Sequence, residues 1–234
     1  MQRERGMSNE PDLRRDAPAF HRNVAPIRSI LLDLLGGRSG DVLEIGAGTG
    51  QHAVAFSSAL PDLLWWPSDF GTTKLDSIEA WRIHGGGANL RAPFTLDASA
   101  SDWRLGRHGL AAELRAIISL NVIHISPWKV SEGLFAGAGK YLAADGLLIL
   151  YGPFCRDGAH TAASNAAFDA DLRRRDPSWG IRDTVDLQTL AVSNGLELRK
   201  LEPMPANNFT LVYGRNQSWP GNLTSIPRAG EVSG

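Results

Sequence analysis

The chain of 234 residues is long enough for one substantial core in a single domain. Its 24 Lys and Arg against 25 Asp and Glu leave a net charge of −1, without the basic stripe that binding nucleic acid or an anionic membrane requires. A single cysteine, Cys155, excludes an internal disulfide and an all-cysteine metal cluster, and no metal site is predicted.

Residues 1–16 are charged, lack the apolar core of a signal peptide and read as a poorly ordered arm. A helical pattern covers Ile27 to Leu35. Val42 to Ile45 is a short apolar run that ends in three glycines at alternate positions, Gly46, Gly48 and Gly50, and passes into a helix over Gln51 to Leu60. That order is strand, tight turn and helix start, where free backbone N–H groups meet a ligand. Leu63 to Trp66 is a second strand running into Pro67-Ser68-Asp69, and a helix over Thr73 to His84 stops at Gly85-Gly86-Gly87. Phe94 to Leu96 is a third strand ending at Asp97, and Ala116 to Leu120 a fourth ending at Asn121. A helix over Lys129 to Leu142 and a fifth strand over Gly146 to Tyr151 follow.

Residues 153–183 form an insertion with its own helix over Ala162 to Arg175, bracketed by Gly and Pro and placed as a lid. Phe168 and Leu172 give that helix its apolar face, and Asp169 with Arg173 reads as a surface ion pair. Val185 to Ser193 is a further helix. Leu196 to Leu201 and Phe209 to Tyr213 are joined by a turn too short for a helix, so they should pair antiparallel. Residues 216–234, rich in Gly, Pro, Ser and Asn, read as a loose tail. The longest apolar run, around Leu147 to Tyr151, is too short to span a bilayer, and a soluble, cytoplasmic protein is expected.

In an open α/β sheet, ligands bind beyond the carboxyl ends of the strands. A dinucleotide fingerprint needs a third glycine where this chain has Gln51, which disfavours a nicotinamide oxidoreductase. The pattern from Glu44 to Gly50, E-x-G-x-G-x-G, resembles the first motif of class I S-adenosylmethionine-dependent methyltransferases. That resemblance implies a Rossmann-like α/β fold with a mostly parallel seven-stranded sheet, an antiparallel C-terminal hairpin and helices on both faces. It also implies S-adenosyl-L-methionine as cofactor, held by Glu44, Gly46, Ala47, Gly48, Gly50, His52, Asp69, Asp97 and Asn121. Asp69 suits the ribose hydroxyls. Asp97 stands near the adenine or serves as a turn residue beside Ser99 and Ser101. His124 either lines the site or takes a proton from an acceptor hydroxyl.

From about Ala17 to Arg215 the chain resembles domain of unknown function 938, a class I methyltransferase-like family whose animal members are called methyltransferase-like 26. The shared words include Arg22-Asn23, Leu43 to Ala53, Trp66 to Asp69, Asn121 to Trp128, Tyr151 to Phe154, Ser164 to Asp169 and Met204 to Asn208. Phe20-His21 and Cys155 depart from that pattern. The resemblance supplies a cofactor and a fold but no substrate; the missing basic stripe and the enclosing insertion predict a small-molecule acceptor held by Arg22, Asn23, Tyr151, Phe154, His160 and Asn165, with no nucleic-acid or membrane partner. A cofactor-binding regulator or scaffold without methyl transfer is the alternative; the sequence leaves the oligomeric state open.

Overall fold

The computed structural model describes residues 11–110 and 113–216. The start of the expected arm (residues 1–10) and the expected tail beyond Asn216 therefore lie outside the described residues. The strands are β1 (Gly40–Ile45), β2 (Leu63–Asp69), β3 (Phe94–Thr95), β4 (Leu114–Leu120) and β5 (Leu142–Gly152). After them come β6 (Phe154–Arg156), β7 (Ala159–His160) and β8 (Arg182–Asp183) in the insertion, then β9 (Leu196–Met204) and β10 (Asn208–Arg215). The helices are α1 (Pro18–Leu35), α2 (Gln51–Ala59), α3 (Thr72–Gly85), α4 (Trp128–Tyr141), α5 (Ala163–Arg175) and α6 (Thr184–Ser193).

The central sheet has the order β3-β2-β1-β4-β5-β10-β9. Neighbours from β3 to β5 run parallel, and β10 is antiparallel to both β5 and β9. This is the mostly parallel seven-stranded sheet expected from the sequence, with the closing hairpin where the sequence puts it. Its strands are buried on both faces, so adjacent residues feed different layers. Val42 and Ile118 join Leu31, Leu35 and Phe56 under α1 and α2. Leu43 and Ile117 join Leu134, Phe135 and Leu187 under α4 and α6. The paired tryptophans of β2 show the same alternation. Trp65 donates its indole N–H to Glu44 (2.7 Å) and Trp66 donates to Asp41 (2.7 Å), so each is tied to an acid of β1.

Three expectations need correction. Helix α1 begins at Pro18 instead of Ile27, with Pro26 inside it. Proline at the helix start loses no bond, and burial of Asn23 and Ile27 carries the helix through the rung that Pro26 removes. The end of the supposed arm is tied down: Arg15 N donates to Ser77 Oγ (2.9 Å), Trp81 Nε1 to Arg15 O (2.9 Å) and Gln51 Nε2 to Asp16 Oδ1 (2.8 Å), and just after it Ala17 N donates to Gln51 Oε1 (2.9 Å). In the insertion, β7-β6-β8 form a small sheet of strands too short to show any periodicity in the sequence.

Helix α5 also turns differently from its pattern. Leu172 is fully buried, but Phe168 keeps 38% of its surface exposed. Asp169 is not half of a surface ion pair. It is buried, takes Arg173 Nε at 2.9 Å, and accepts the backbone N–H of Ile181 at 2.6 Å.

Helix α4 lies close enough to its neighbours that side chains are excluded along one stripe. A Cβ on Gly137 would sit 2.1 Å from the Trp103 ring. In an open helix Gly→Ala gains about 1 kcal/mol. Here Gly137→Ala should instead lower stability, by about 2 kcal/mol as an overpacked site does; urea unfolding of the two proteins measures it.

Candidate functional site

The site begins where β1 runs out. Gly46 N and Ala47 N both donate to Ser68 O (2.9 Å each), and Gly50 N closes the turn on Ala47 O at 3.0 Å. Gly46, Gly48 and Gly50 all have positive φ, at 75°, 62° and 92°. A Cβ on Gly46 would strike Val122 at 2.4 Å, and one on Gly50 would strike Ile78 at 2.6 Å. Those two glycines answer to the protein itself. Gly48 differs: the nearest atom to its Cβ position is Gly46 O at 3.9 Å, so its outer side is open. Gly48 N donates to Asp69 Oδ2 (3.0 Å), and Gly71 N donates to Asp69 Oδ1 (3.1 Å). Each carboxylate oxygen keeps a lone pair for a ligand. Phe70, next in the chain, is 72% exposed; the sequence reasoning passed over it, although an aromatic directly after a strand-end acid was the signal.

The remaining strand-end residues divide by role. Glu44 is turned under the loop, buried, with Trp65 on its carboxylate. Burial pushes its pKa up to about 7, and the nearby Asp69 charge pushes the same way. Glu44 thus supports the loop from below and is not laid out along its open side, contrary to expectation. Ala47 is buried within the turn. Asp97 holds a turn, accepting from Ser99 N (2.9 Å) and Ser99 Oγ (2.7 Å). Asn121 sits in the left-handed region (φ 59°), its N–H on Tyr151 O at 2.8 Å.

His124 lies in the short turn Ile123–Ile125 and is 3% exposed. Its ring packs against the Gly152 backbone, where an added Cβ would be 2.8 Å from Cε1 and 3.1 Å from Nδ1. The edge of Phe168 meets it at 5.9 Å between ring centres. Nδ1 has no hydrogen-bond partner although it is buried. Burial, aided by the Arg182 charge, pushes the pKa down to about 4, so the ring is neutral at pH 7. Arg182, which the sequence reading left out of the site, locks this turn. It is buried, donates from Nε to Ile123 O (2.9 Å) and from its guanidinium to Ser126 O, and lies over the Trp128 ring.

A second polar group gathers at the carboxyl end of β5. His52 Nε2 meets Asn23 Oδ1 at 2.8 Å, and burial pushes the His52 pKa down to about 4. Burial pushes the pKa of the Tyr151 phenol up, against smaller opposing effects of the Asn23 and Asn208 amides and the Arg22 charge. Arg22 and Asn23 therefore act from the first turns of α1, joined to the glycine-loop helix through His52. Asn165 faces the β9–β10 turn, donating to Asn207 O (2.9 Å) and Thr161 Oγ1 (3.1 Å).

Phe154 and His160 are not brought to this place. Phe154 is 1% exposed and belongs to the core beneath α4 and α6. His160 meets Cys155 Sγ at 3.2 Å and Asp169 at 3.7 Å, in a cavity of about 330 Å³ within the insertion. No residue of the glycine loop lines that cavity. Alternation along β6 explains the split, since Phe154 and Cys155 face opposite ways.

The family model described as "Protein of unknown function (DUF938)" matches residues 14–215, and the chain belongs to that family. Among solved structures, an O-methyltransferase family protein from Burkholderia thailandensis is similar with TM-score 0.69 and 16% identity, over 84% of this chain and 57% of that one. Magnesium protoporphyrin IX methyltransferase from Synechocystis PCC 6803, solved with bound SAH, gives 0.62 and 15%, over 87% and 91%. An O-methyltransferase of neocarzinostatin biosynthesis, in complex with S-adenosylmethionine and a methylated hydroxynaphthoic acid, gives 0.61 and 14%, over 82% and 56%. The chain thus spans little more than half the length of the first and third of these. At such identities the likeness is one of fold. Among the described residues no helix is long and apolar enough to cross a membrane.

The raised pKa of Glu44 has a consequence for stability. Because its folded value (about 7) exceeds the ordinary 4.5, the fold holds a proton there that the unfolded chain has already lost. That contribution is complete below pH 4.5 and disappears as pH rises through 7. Glu44→Gln keeps an acceptor for Trp65 and removes the buried charge. It should stabilise the protein by on the order of 2 kcal/mol at pH 8 and hardly at all at pH 5, read from denaturant midpoints at the two pH values.

Proposed function

We propose that this DUF938 protein is an S-adenosylmethionine-dependent methyltransferase acting on a small molecule. The observation that carries the reading is the open side of Gly48, whose N–H the Asp69 carboxylate holds, with the exposed Phe70 next in the chain to that acid. A loop with room for a ligand at one glycine and none at the other two is built to be approached by something at that point. An acid at the end of β2 suits two ribose hydroxyls, and an exposed aromatic beside it suits a flat base. The structural neighbours solved with SAH or S-adenosylmethionine support the same cofactor. S-adenosylmethionine supplies, when bound, an electrophilic methyl group on a sulfonium centre.

The chain's own residues supply position and proton management. The turn carrying His124 follows the end of β4, next to Gly152 at the end of β5. Its Nδ1, buried and without a partner, is the group to receive the proton of an acceptor hydroxyl. Phe168 and Ile125, both partly exposed beside His124, offer an apolar wall that keeps water from the acceptor. Asn121 and Gly152 fix the distance between the two strand ends. Orientation of acceptor against cofactor is then the larger part of the rate enhancement.

Two outcomes check this. Gly48→Asn, a residue that tolerates the left-handed φ of 62°, puts a side chain on the open side of the loop while leaving the tight contacts of Gly46 and Gly50 in place. It should remain folded and lose affinity for S-adenosylhomocysteine by about a hundredfold or more, as blocked close approach of backbone to ligand does; undiminished calorimetric binding would overturn the assignment. His124→Ala should lower kcat by about a hundredfold with cofactor affinity retained. For the wild type, the acid limb of kcat/KM should lie near pH 4 instead of 6.5, because the neutral ring is what accepts the proton and it is lost as pH falls through about 4. Release of S-adenosylhomocysteine follows both, and its complete absence from every acceptor pool would leave a cofactor-binding regulator.

A further inference from the structure

The insertion meets the His124 turn through one segment, Ser178 to Arg182. A three-residue turn such as Ile123–Ile125 bonds few of its own carbonyls, so Ile123 O, His124 O and Ser126 O need partners from outside. All three find them in that segment. Gly180 N donates to His124 O (3.0 Å), and Arg182 donates from Nε to Ile123 O (2.9 Å) and from its guanidinium to Ser126 O. The same guanidinium donates to Ser178 O (3.2 Å), which ties the segment to itself.

Helix α5 holds the segment in turn. Asp169 Oδ1 accepts Ile181 N (2.6 Å), between the two residues that grip the turn. Gly180 lies against the same oxygen, since a Cβ there would be 2.9 Å from Asp169 Oδ1 and 2.6 Å from Arg173 Nη2. The residue before Asp169 is Phe168, whose ring edge meets the His124 ring. One helix thus touches the ring directly and reaches its backbone through Gly180 and Ile181. Arg182 is buried, makes no ion pair among the described residues, and gives its donors to backbone carbonyls while lying over the Trp128 ring. A buried guanidinium is costly, and an apolar side chain of similar size fills such a place more cheaply. Its use here is explained by what it fixes more than by the stability it adds.

We infer that the insertion is a fixed clamp on His124 and not a moving lid, with Asp169 and Arg182 as its positioning residues. Asp169 fixes Gly180 and Ile181, and Gly180 with Arg182 fixes the turn, so that Nδ1 stays beside Gly152. Neither residue touches the reacting atoms; both act through the backbone that carries the ring. For catalysis this inference rests on the methyltransferase reading, but the clamp itself is a property of the folded chain.

Hydrogen exchange on the full-length wild type tests the clamp without any reaction. The amides of Gly180 and Ile181 should be protected before any ligand is added, while that of exposed Asp157 exchanges freely. Exchange at Gly180 and Ile181 as fast as at Asp157, slowed only by S-adenosylhomocysteine, is the behaviour of a lid and overturns the clamp. Asp169→Ala removes the acceptor of the Ile181 N–H and should speed exchange at both amides by about tenfold or more, the usual loss for a hydrogen bond to a charged group; Asp169→Asn keeps an acceptor and should lose less. In methyl transfer, Arg182→Lys and Arg182→Met should each lower kcat by about tenfold or more, as misplacement of a reacting group does, with S-adenosylhomocysteine affinity unchanged. Lysine keeps the charge but not the planar fork that spans two carbonyls. Arg182 is the charge that acts on His124; Phe168 from α5 and Gly152 from β5, also against the ring, carry none. The His124 ring signals, assigned by their loss in His124→Ala, should therefore still titrate near pH 4 in Arg182→Lys and higher in Arg182→Met. Folded variants with wild-type kcat overturn the positioning role; where a variant does not fold, the wild-type exchange decides. If the wild type forms no S-adenosylhomocysteine with any acceptor, the methyltransferase reading fails alone, and exchange with the His124 titration still decides the clamp.

Discussion

The end of strand β2 holds the end of strand β1, and the site follows from that. Ser68 O takes two consecutive backbone N–H groups of the glycine loop, and Asp69 takes a third from Gly48. A turn this tight has few backbone partners of its own, so it must be satisfied by its parallel neighbour. The side-chain hydroxyl of Ser68 in turn donates to Glu44 O at 2.8 Å, binding the same two strands one residue below. The loop is therefore shaped before any ligand arrives, and Asp69 is part of the shape as well as a candidate ligand group. Pre-shaping of this kind lowers the ordering cost of binding.

Burial then decides the electrical character of the site. Glu44 and His124 are buried and His52 half-buried, and all three are shifted toward their neutral forms. Desolvation is the leading cause in each case. The acidic group left at the open side of the glycine loop is Asp69, which holds the Gly48 N–H.

Much of this was legible in the sequence, for definite reasons. Parallel strands buried on both faces leave unbroken apolar runs, and the glycines announce the turn, so the parallel sheet, its closing hairpin and the loop could be read without coordinates, but the order of the strands could not. Register and direction of single side chains could not. Glu44 precedes the loop but is turned under it, because alternation along β1 sends it to the Trp65 face. Phe154 and His160 sit in a segment that looks like a lid, yet two- and three-residue strands carry no pattern that says which side faces what. Asp169 and Arg173 fit a surface pair by spacing, and only the return of Ile181 over α5 buries the acid. Pro26 hid the first turns of α1, and with them the fact that Arg22 and Asn23 sit on a rigid element.

The depressed pKa of His124 bears on how a base can work in such a place. An imidazole with a pKa of about 4 cannot remove a proton from a resting alcohol or phenol, whose acidity is far weaker. In the proposed reaction it would not have to: as an acceptor oxygen shared its electrons with a methyl group its proton would become strongly acidic, and even a weakly basic ring would then accept it. Proton transfer would accordingly be late and coupled to bond formation. A more basic, solvated histidine would be protonated in part near neutral pH and would place a second positive charge beside a sulfonium. Keeping the ring buried and uncharged sacrifices basicity that the reaction does not use. In exchange, the ground between the two strand ends remains free of like charge. Gly152 is the enabling residue, since any larger side chain would displace the ring that this arrangement depends on.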